Sequence, residues 1–180
     1  MVVLSLRQFL KMLESDGELI RLKRPFSTRF EIARLLKKHD KGKAIVVEKV
    51  AESELSVVGN VLSKRNRLLK AVNCVDYKEL YSKLLNACNS PVKTRVKDDA
   101  PFLEIRLKSL KELPILTHFE KDGGPYITAG IVVARDPESD FQNASFHRLM
   151  LLDDKRMAIR IVPRHLFRID FKPVSYTHLR

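Results

Sequence analysis

The sequence predicts an α/β protein, with an amino-terminal α/β domain over residues 1–112 and a strand-rich domain over residues 113–172. Apolar residues alternate between helical and strand periodicity in the first part, which is typical of an α/β layer. Strand signals dominate from Leu113 onward. The apolar fraction of 44% is sufficient for a globular core and excludes extensive disorder.

The amino-terminal part predicts helices and strands in turn. Ser5 can cap a helix that carries Phe9 and Leu13, and Gly17 can end it. The β-branched run at residues 44–47 is typical of a buried strand. The same reasoning predicts strands at residues 18–23 and 55–62, and helices at residues 30–39, from Ser63 to about Val72, and from Asp76 onward.

The carboxy-terminal part predicts three consecutive strands. Residues 93–108 are charged and irregular, and they separate these strands from the first domain. The strand candidates are residues 126–134, 144–152 and 156–162, with a turn at residues 153–155. This pattern indicates a β-meander that opens a barrel.

The net charge of +12 raises the alternative of a nucleic-acid-binding protein. The Lys and Arg residues are interleaved with Asp and Glu, and no helix-turn-helix, zinc-finger or aromatic RNA-binding pattern is present. We therefore expect no nucleic-acid partner. The charge is better explained by a solvated surface with some basic side chains reserved for an anionic ligand.

The cysteine count and the apolar runs indicate a cytoplasmic protein with reduced thiols. Cys74 and Cys88 have neither metal-ligand spacing nor a paired framework. No apolar run approaches the roughly 20 residues that span a bilayer. The first residues lack the basic region and apolar core of a signal peptide.

Polar side chains recur at alternate positions in the second predicted strand of the meander. Asn143, Ser145 and His147 would face one way, with Phe146 and Arg148 on the other side. Polar groups this dense beside an apolar run are costly to bury without partners, and a ligand is a natural partner. A solvated strand face explains the pattern equally well.

Two further stretches carry candidate ligand contacts. Arg160 ends the third strand and could point inward at an anion, and His165 could ligate a metal through neutral imidazole. The loop at Gly123-Gly124 permits close backbone approach. An ordinary loop and a plain surface histidine remain the alternatives, and His118 has no evident partner in the sequence.

Several short motifs occur in a fixed order along the chain. They are residues 6–10 (LRQFL), 57–60 (VVGN), Leu113-Pro114-Ile115, residues 123–130 (GGPYITAG), Asp136-Pro137, residues 142–148 (QNASFHR) and residues 163–166 (PRHL). Together and in this order, they resemble the UbiD family of decarboxylases, and they are most similar to archaeal-type members. The resemblance covers nearly the whole chain to about Lys172.

The resemblance implies a flavin-binding split β-barrel and a non-oxidative carboxy-lyase that uses prenylated FMN, Mn²⁺ and, in some members, K⁺. The substrate would be an aromatic or α,β-unsaturated acid, either a 4-hydroxybenzoate or anhydromevalonate phosphate. By resemblance, Asn143 and His165 would bind the metal, and Arg148 would be the catalytic residue that orients the substrate carboxylate. The implied cofactor contacts are Thr128, Ser145, Phe146, His147, Arg148, Arg160, Ile161, Val162, Arg164 and His165.

The resemblance also implies residues that the chain does not contain. The family has a glutamate as third metal ligand and a pair of catalytic carboxylates further along, and no Asp or Glu after Arg148 has a matching context. Residues 173–180 resemble translated sequencing adapter. We therefore expect a truncated amino-terminal part of a homo-oligomeric enzyme, with a non-native tail and no activity of its own. A non-catalytic flavin- or phosphate-binding module is the alternative.

Overall fold

The computed structural model describes residues 5–92, 104–136, 139, 141–163, 166, 167 and 169. The chain divides into two compact units. The first comprises Met1–Lys108 and Glu112–Pro114, and the second comprises Ser109–Lys111 and Ile115–Arg180. Among the described residues, no helix combines the length and the apolar character needed to cross a bilayer.

Helix α1 (Leu6–Ser15) opens the first unit and ends as its sequence predicts. The Ser5 hydroxyl accepts a hydrogen bond from the Gln8 N–H, and the Gln8 side chain accepts one from the Ser5 N–H. This reciprocal pair satisfies two backbone donors at the helix start. Gly17 follows the helix with φ +67°, a conformation that a β-carbon disfavours. Phe9 and Leu13 pack into the core against Ala44.

A mixed three-stranded sheet forms the centre of this unit. Strands β1 (Leu19–Phe26) and β2 (Ala44–Val50) pair in parallel, and β3 (Val57–Gly59) pairs antiparallel to β2. Residues 44–47 are all buried, which confirms the predicted core strand. The strand predicted at residues 55–62 is confined to three residues, because the chain turns at Asn60 with φ +56°.

The first unit contains three further helices: α2 (Glu31–Lys38), α3 (Arg65–Ala71) and α4 (Tyr77–Asn89). The predicted Asp76 cap is confirmed, since its carboxylate accepts from the Glu79 N–H. The predicted Ser63 cap is wrong. Lys64 occupies the cap position of α3, and the Ser63 hydroxyl has no hydrogen-bond partner among the described residues.

Arg67 is the one buried charged side chain among the described residues, with 1% of its surface exposed. Its guanidinium donates to the carbonyls of Gly42, Asn60 (2.9 Å) and Val61 (3.5 Å). The Glu18 carboxylate lies 3.3 Å from the same group. Arg67 therefore joins three separate chain segments.

Glu18 has a second basic partner in Lys64. The Lys64 ammonium donates to both carboxylate oxygens, at 3.1 and 2.8 Å. Hydrogen bonding from Lys64 holds the pKa of the Glu18 carboxyl below its usual value of 4.5. The carboxylate consequently stays ionised beside Arg67 at neutral pH.

The second unit is built on an antiparallel sheet of three consecutive strands, β4 (Tyr126–Arg135), β5 (Gln142–Leu151) and β6 (Met157–Ile159). This is the predicted meander, although β6 is shorter than the predicted strand at residues 156–162. A register shift in β4 between Ile127 and Gly130 marks a bulge.

The turn between β5 and β6 is closed by its acidic residues. Asp153 accepts from the N–H groups of Lys155 and Arg156, both at 2.9 Å, as expected for a turn at residues 153–155. These backbone hydrogen bonds hold the pKa of Asp153 below its usual value. The Lys111 ammonium lies 2.8 Å from an Asp154 carboxylate oxygen. Its side-chain hydrogen bond holds the pKa of Asp154 below the usual value.

Candidate functional site

A cavity of about 590 Å³ lies on one side of the sheet in the second unit. Strand β4 contributes two of its lining residues, β5 contributes two, and β6 with its following residue contributes three. The remaining five come from the loop before β4. The lining comprises His118, Phe119, Lys121, Asp122, Gly123, Tyr126, Thr128, Arg148, Met150, Ala158, Ile159 and Arg160.

Thr128 and Arg148 line the same cavity from two paired strands. Tyr126 pairs with Met150, and residues two apart in a regular strand share a face, so Arg148 lies on the side of Met150. Thr128 lies within the β4 bulge between Ile127 and Gly130, where this alternation does not apply. Two residues predicted to contact substrate and cofactor thus line one cavity with Arg160.

The Gly123-Gly124 loop folds against β5, and Gly123 lines the cavity. A β-carbon at Gly123 would lie 3.3 Å from the Met150 sulfur, and one at Gly124 would lie 3.6 Å from the Leu151 carbonyl oxygen. The first of these distances is tighter than ordinary van der Waals contact. Gly123 therefore approaches β5 closely, whereas neither glycine adopts the positive φ that the sequence allowed.

A chain of hydrogen bonds runs along the opposite face of β5. The Asn143 side-chain amide donates to the Ser145 hydroxyl at 3.0 Å, and this hydroxyl lies 2.8 Å from Nε2 of His147. Nδ1 of His147 lies 3.2 Å from the Arg160 carbonyl oxygen. The three side chains are on one face, as the alternation predicts. Their partners are one another and Arg160, which fixes the orientation of each group.

The described residues provide few ligands for a metal. The Asn143 side-chain oxygen has no hydrogen-bond partner among them, so it is available to a hard cation. No group of three His, Cys, Asp or Glu side chains that could hold an ion occurs within the described part. His165, the second predicted metal ligand, and Arg164 lie outside the described residues.

The remaining predicted cofactor contacts do not line the cavity. Phe146 is 74% exposed and pairs across the sheet with Ile131, which is 63% exposed. Ile161 is half-buried, and Val162 is exposed. In this structure the predicted set is divided between the cavity, the opposite face of β5 and the solvent-exposed surface.

Sequence reasoning missed two basic residues of the cavity, His118 and Lys121. They precede the Gly123-Gly124 turn, and the fold of that loop against Met150 carries them to the cavity rim. The paired glycines were the sequence feature that could have indicated this position. They allow the loop to lie close to β5, and the residues just before them then also lie near that strand.

Two family models match the chain. The one described as the 3-octaprenyl-4-hydroxybenzoate carboxy-lyase N-terminal domain matches residues 10–88. The one described as the 3-octaprenyl-4-hydroxybenzoate carboxy-lyase Rift-related domain matches residues 93–176. Both belong to the UbiD group, and together they account for most of the sequence.

Curated relatives and solved structures agree with these matches. An anhydromevalonate phosphate decarboxylase of Methanosarcina mazei is 38% identical over 169 residues, which is 92% of this chain and 38% of that protein. One of Methanothermobacter thermautotrophicus is 37% identical, over 78% of this chain and 33% of that protein. The chain therefore spans little more than a third of these relatives.

The fold is shared with solved UbiD-class enzymes. An evolved dimeric form of HmfF from Pelotomaculum thermopropionicum, in complex with prenylated FMN, has a TM-score of 0.86 and 37% identity, over 92% of this chain and 40% of that one. The closed form of vanillic acid decarboxylase from Sedimentibacter hydroxybenzoicus has a TM-score of 0.82 and 29% identity, over 94% and 39%.

Proposed function

The chain belongs to the UbiD family, and we propose that it forms the amino-terminal part of a non-oxidative decarboxylase that uses prenylated FMN. The observation that supports this most strongly is the cavity in which Arg148, Thr128 and Arg160 converge. The HmfF structures were solved with FMN and with prenylated FMN, which supports a flavin in the corresponding place here. We further propose a cytoplasmic location and a homo-oligomeric assembly.

The cavity suits a flavin and a carboxylate because it combines apolar and cationic walls. Phe119, Met150 and Ile159 offer apolar surface against which a flat ring can pack. Arg148 and Arg160 supply guanidinium groups, whose planar donors match carboxylate and phosphate oxygens. Neither guanidinium has a carboxylate partner among the described residues, so both are available to a ligand.

The proposed mechanism assigns binding and orientation to the protein. When bound, prenylated FMN would supply the electron sink for the pair left by the departing carboxylate. Arg148 would hold that carboxylate in a fixed orientation, which lowers the entropic part of the barrier. The apolar lining would exclude water and favour release of neutral CO₂. Thr128 lies at the same wall and would contact the cofactor.

For the metal we propose Mn²⁺, with Asn143 and His165 as two of its ligands and K⁺ as a second cation. The free side-chain oxygen of Asn143 supports the first assignment. A hard cation needs further oxygen ligands, which the described residues do not supply. No step of the proposed mechanism is therefore assigned to the metal.

The relatives named anhydromevalonate phosphate decarboxylase favour that acid as the substrate over a 4-hydroxybenzoate. A flavin- or phosphate-binding module without catalysis is the competing function. It would bind the same cofactor and release no CO₂. Both a decarboxylase and a binding module would bind flavin, but only the decarboxylase would convert substrate.

Titration of the 180-residue chain with FMN tests the cofactor part of this proposal. We expect saturable quenching of flavin fluorescence, and a dissociation constant raised about tenfold or more by Arg160→Ala, because one cation of the cavity is lost. Arg156→Ala is the matched control, since Arg156 pairs with Asp153 on the exposed turn and does not line the cavity. Absence of saturable binding, or equal losses in both variants, would contradict a flavin site here.

A further inference from the structure

Three polar side chains of β5 form a hydrogen-bonded relay that ends on a backbone carbonyl. The relay comprises Asn143, Ser145 and His147, and the carbonyl is that of Arg160. The relay side chains are half-buried, whereas the β5 residues that alternate with them from position 142 to position 148 are exposed. The relay therefore lies on the more protected face of this part of the strand.

Strand β4 offers the relay no competing polar side chain. The β4 residues that pair with the three relay positions are Gly130, Val132 and Ala134. None of these has a side-chain donor or acceptor. A half-buried polar group without a partner costs free energy, so each relay side chain is best satisfied by its neighbour in the relay.

The Arg160 carbonyl determines which nitrogen of His147 carries the proton. A carbonyl oxygen can only accept a hydrogen bond, so Nδ1, which lies 3.2 Å from it, must be the protonated nitrogen. A neutral imidazole has one N–H, so Nε2 is then an acceptor. The Ser145 hydroxyl, 2.8 Å from Nε2, must donate to it.

The direction of these bonds leaves one orientation for the Asn143 amide. Once the Ser145 proton points at His147, the Ser145 oxygen can only accept, so it needs a donor from Asn143. The amide nitrogen provides that donor at 3.0 Å, and the amide oxygen consequently points away from the relay. A reversed amide would bring two acceptor oxygens together and leave both unsatisfied.

We propose that Ser145 and His147 are positioning residues that present the Asn143 side-chain oxygen to a divalent cation. This inference rests on the proposed function, since it takes Asn143 as a metal ligand. Groups that orient a ligand contribute to metal affinity without touching the ion, and the loss of one typically lowers that affinity about 10–100-fold. Because Nδ1 of His147 also holds the Arg160 carbonyl, the relay links this ligand to a residue that lines the cavity.

Nitrogen-15 NMR of the unmodified 180-residue chain tests the direction of the relay without any substitution. The spectra are recorded at about pH 8, where imidazole is ordinarily neutral. We expect a protonated Nδ1 and an unprotonated Nε2 in His147, and slow solvent exchange of one Asn143 amide proton. A ring that carries its proton on Nε2 would overturn the proposal, because Ser145 would then accept from His147 and turn its proton toward the Asn143 oxygen.

Ser145→Ala breaks the relay and leaves Asn143 in place. We expect the Asn143 amide to lose its slow exchange, and the dissociation constant for Mn²⁺, measured from the EPR signal of the free ion, to rise about tenfold. The titration extends to weak affinities, because the described residues supply few ligands. Ser145→Thr keeps the hydroxyl on a side chain that suits a strand, and it should restore both properties. Ser82→Ala is the matched control, since Ser82 is exposed on α4 in the first unit.

His147→Phe keeps a flat ring but removes both nitrogen atoms. The Ser145 proton is then free to turn to the Asn143 oxygen, so we expect Mn²⁺ affinity to fall by a similar factor. The variant with both Ser145→Ala and His147→Phe should bind Mn²⁺ within about twofold of either single variant, because both substitutions interrupt one relay. Losses that multiply in the double variant would contradict a shared relay.

The proposal is overturned if Ser145→Ala leaves the amide exchange and the Mn²⁺ affinity within a factor of about two of the unmodified chain. Circular dichroism of each variant shows whether the fold is retained. Binding of Mn²⁺ that is indifferent to Ser145 and His147 would overturn this inference alone. Absence of Mn²⁺ binding to the unmodified chain would remove the metal assignment of Asn143, and this inference with it.

Discussion

We expect replacement of Arg148 by alanine to lower the rate of CO₂ release by about 10²–10³-fold in a chimaera that contains this site. The chimaera carries residues 1–172 of this chain in place of the matched residues of the Methanosarcina mazei relative. The loss is expected because Arg148 is the cationic group of β5 in the cavity and has no protein carboxylate partner among the described residues. In the proposed role Arg148 fixes the orientation of the substrate carboxylate, and an alanine cannot do so.

A lysine at the same position separates charge from geometry. Arg148→Lys keeps the positive charge but loses the planar, two-pronged donor arrangement, so we expect an intermediate rate. Steady-state kinetics should show a lower kcat together with a higher KM, because the proposed role has Arg148 contact the substrate before and during the reaction. Arg156→Ala should leave both constants unchanged, since Arg156 pairs with Asp153 on the exposed turn. Full activity of Arg148→Ala would refute the assignment.

We expect replacement of Arg67 by alanine to lower the free energy of unfolding of the first unit by about 3–5 kcal/mol. The substitution removes the donor for the carbonyls of Gly42, Asn60 and Val61 and takes a cation away from Glu18. It also leaves a cavity where a long side chain was fully buried. Urea unfolding followed by the helical circular dichroism signal measures the loss, because α1 to α4 lie in this unit.

Two variants define what Arg67 contributes. Arg67→Met keeps most of the volume and removes the hydrogen bonds, so a loss close to that of alanine would assign the stability to the polar contacts. Arg65→Ala is the matched control on the same helix, where the side chain is exposed, and a change within about 0.5 kcal/mol is expected. A similarly small change for Arg67→Ala would contradict the role given to it.

Local signals in the sequence were sufficient for most of the elements. The alternation in β5 predicted that Asn143, Ser145 and His147 share a face, and their hydrogen-bonded chain confirms it. The Asp76 cap was also predicted correctly, since capping depends on residues within one turn. Ser63 failed as a cap because the helix begins two residues later, at Arg65, and cap position depends on how the preceding chain enters the helix.

The positions of Arg67, His118 and Lys121 depend on long-range packing and could not be predicted from the sequence. No prediction for Arg67 came from the sequence, and its burial follows from contacts with the Asn60 carbonyl and with the Gly42 carbonyl, which lies 25 residues away in the chain. His118 and Lys121 gained their position only through the fold of a loop against Met150. Such contacts join residues far apart in the chain, which periodicity does not report.

The most direct test of the central claim is decarboxylation by the unmodified chimaera, loaded with prenylated FMN and Mn²⁺ and supplied with anhydromevalonate phosphate. The account predicts CO₂ release by the chimaera and none by the 180-residue chain alone, because the chain spans little more than a third of the relatives it matches. A folded, flavin-loaded chimaera that releases no CO₂ would contradict the claim that residues 115–163 form part of a decarboxylase site. Turnover by the 180-residue chain alone would contradict the claim that this site is incomplete without further residues.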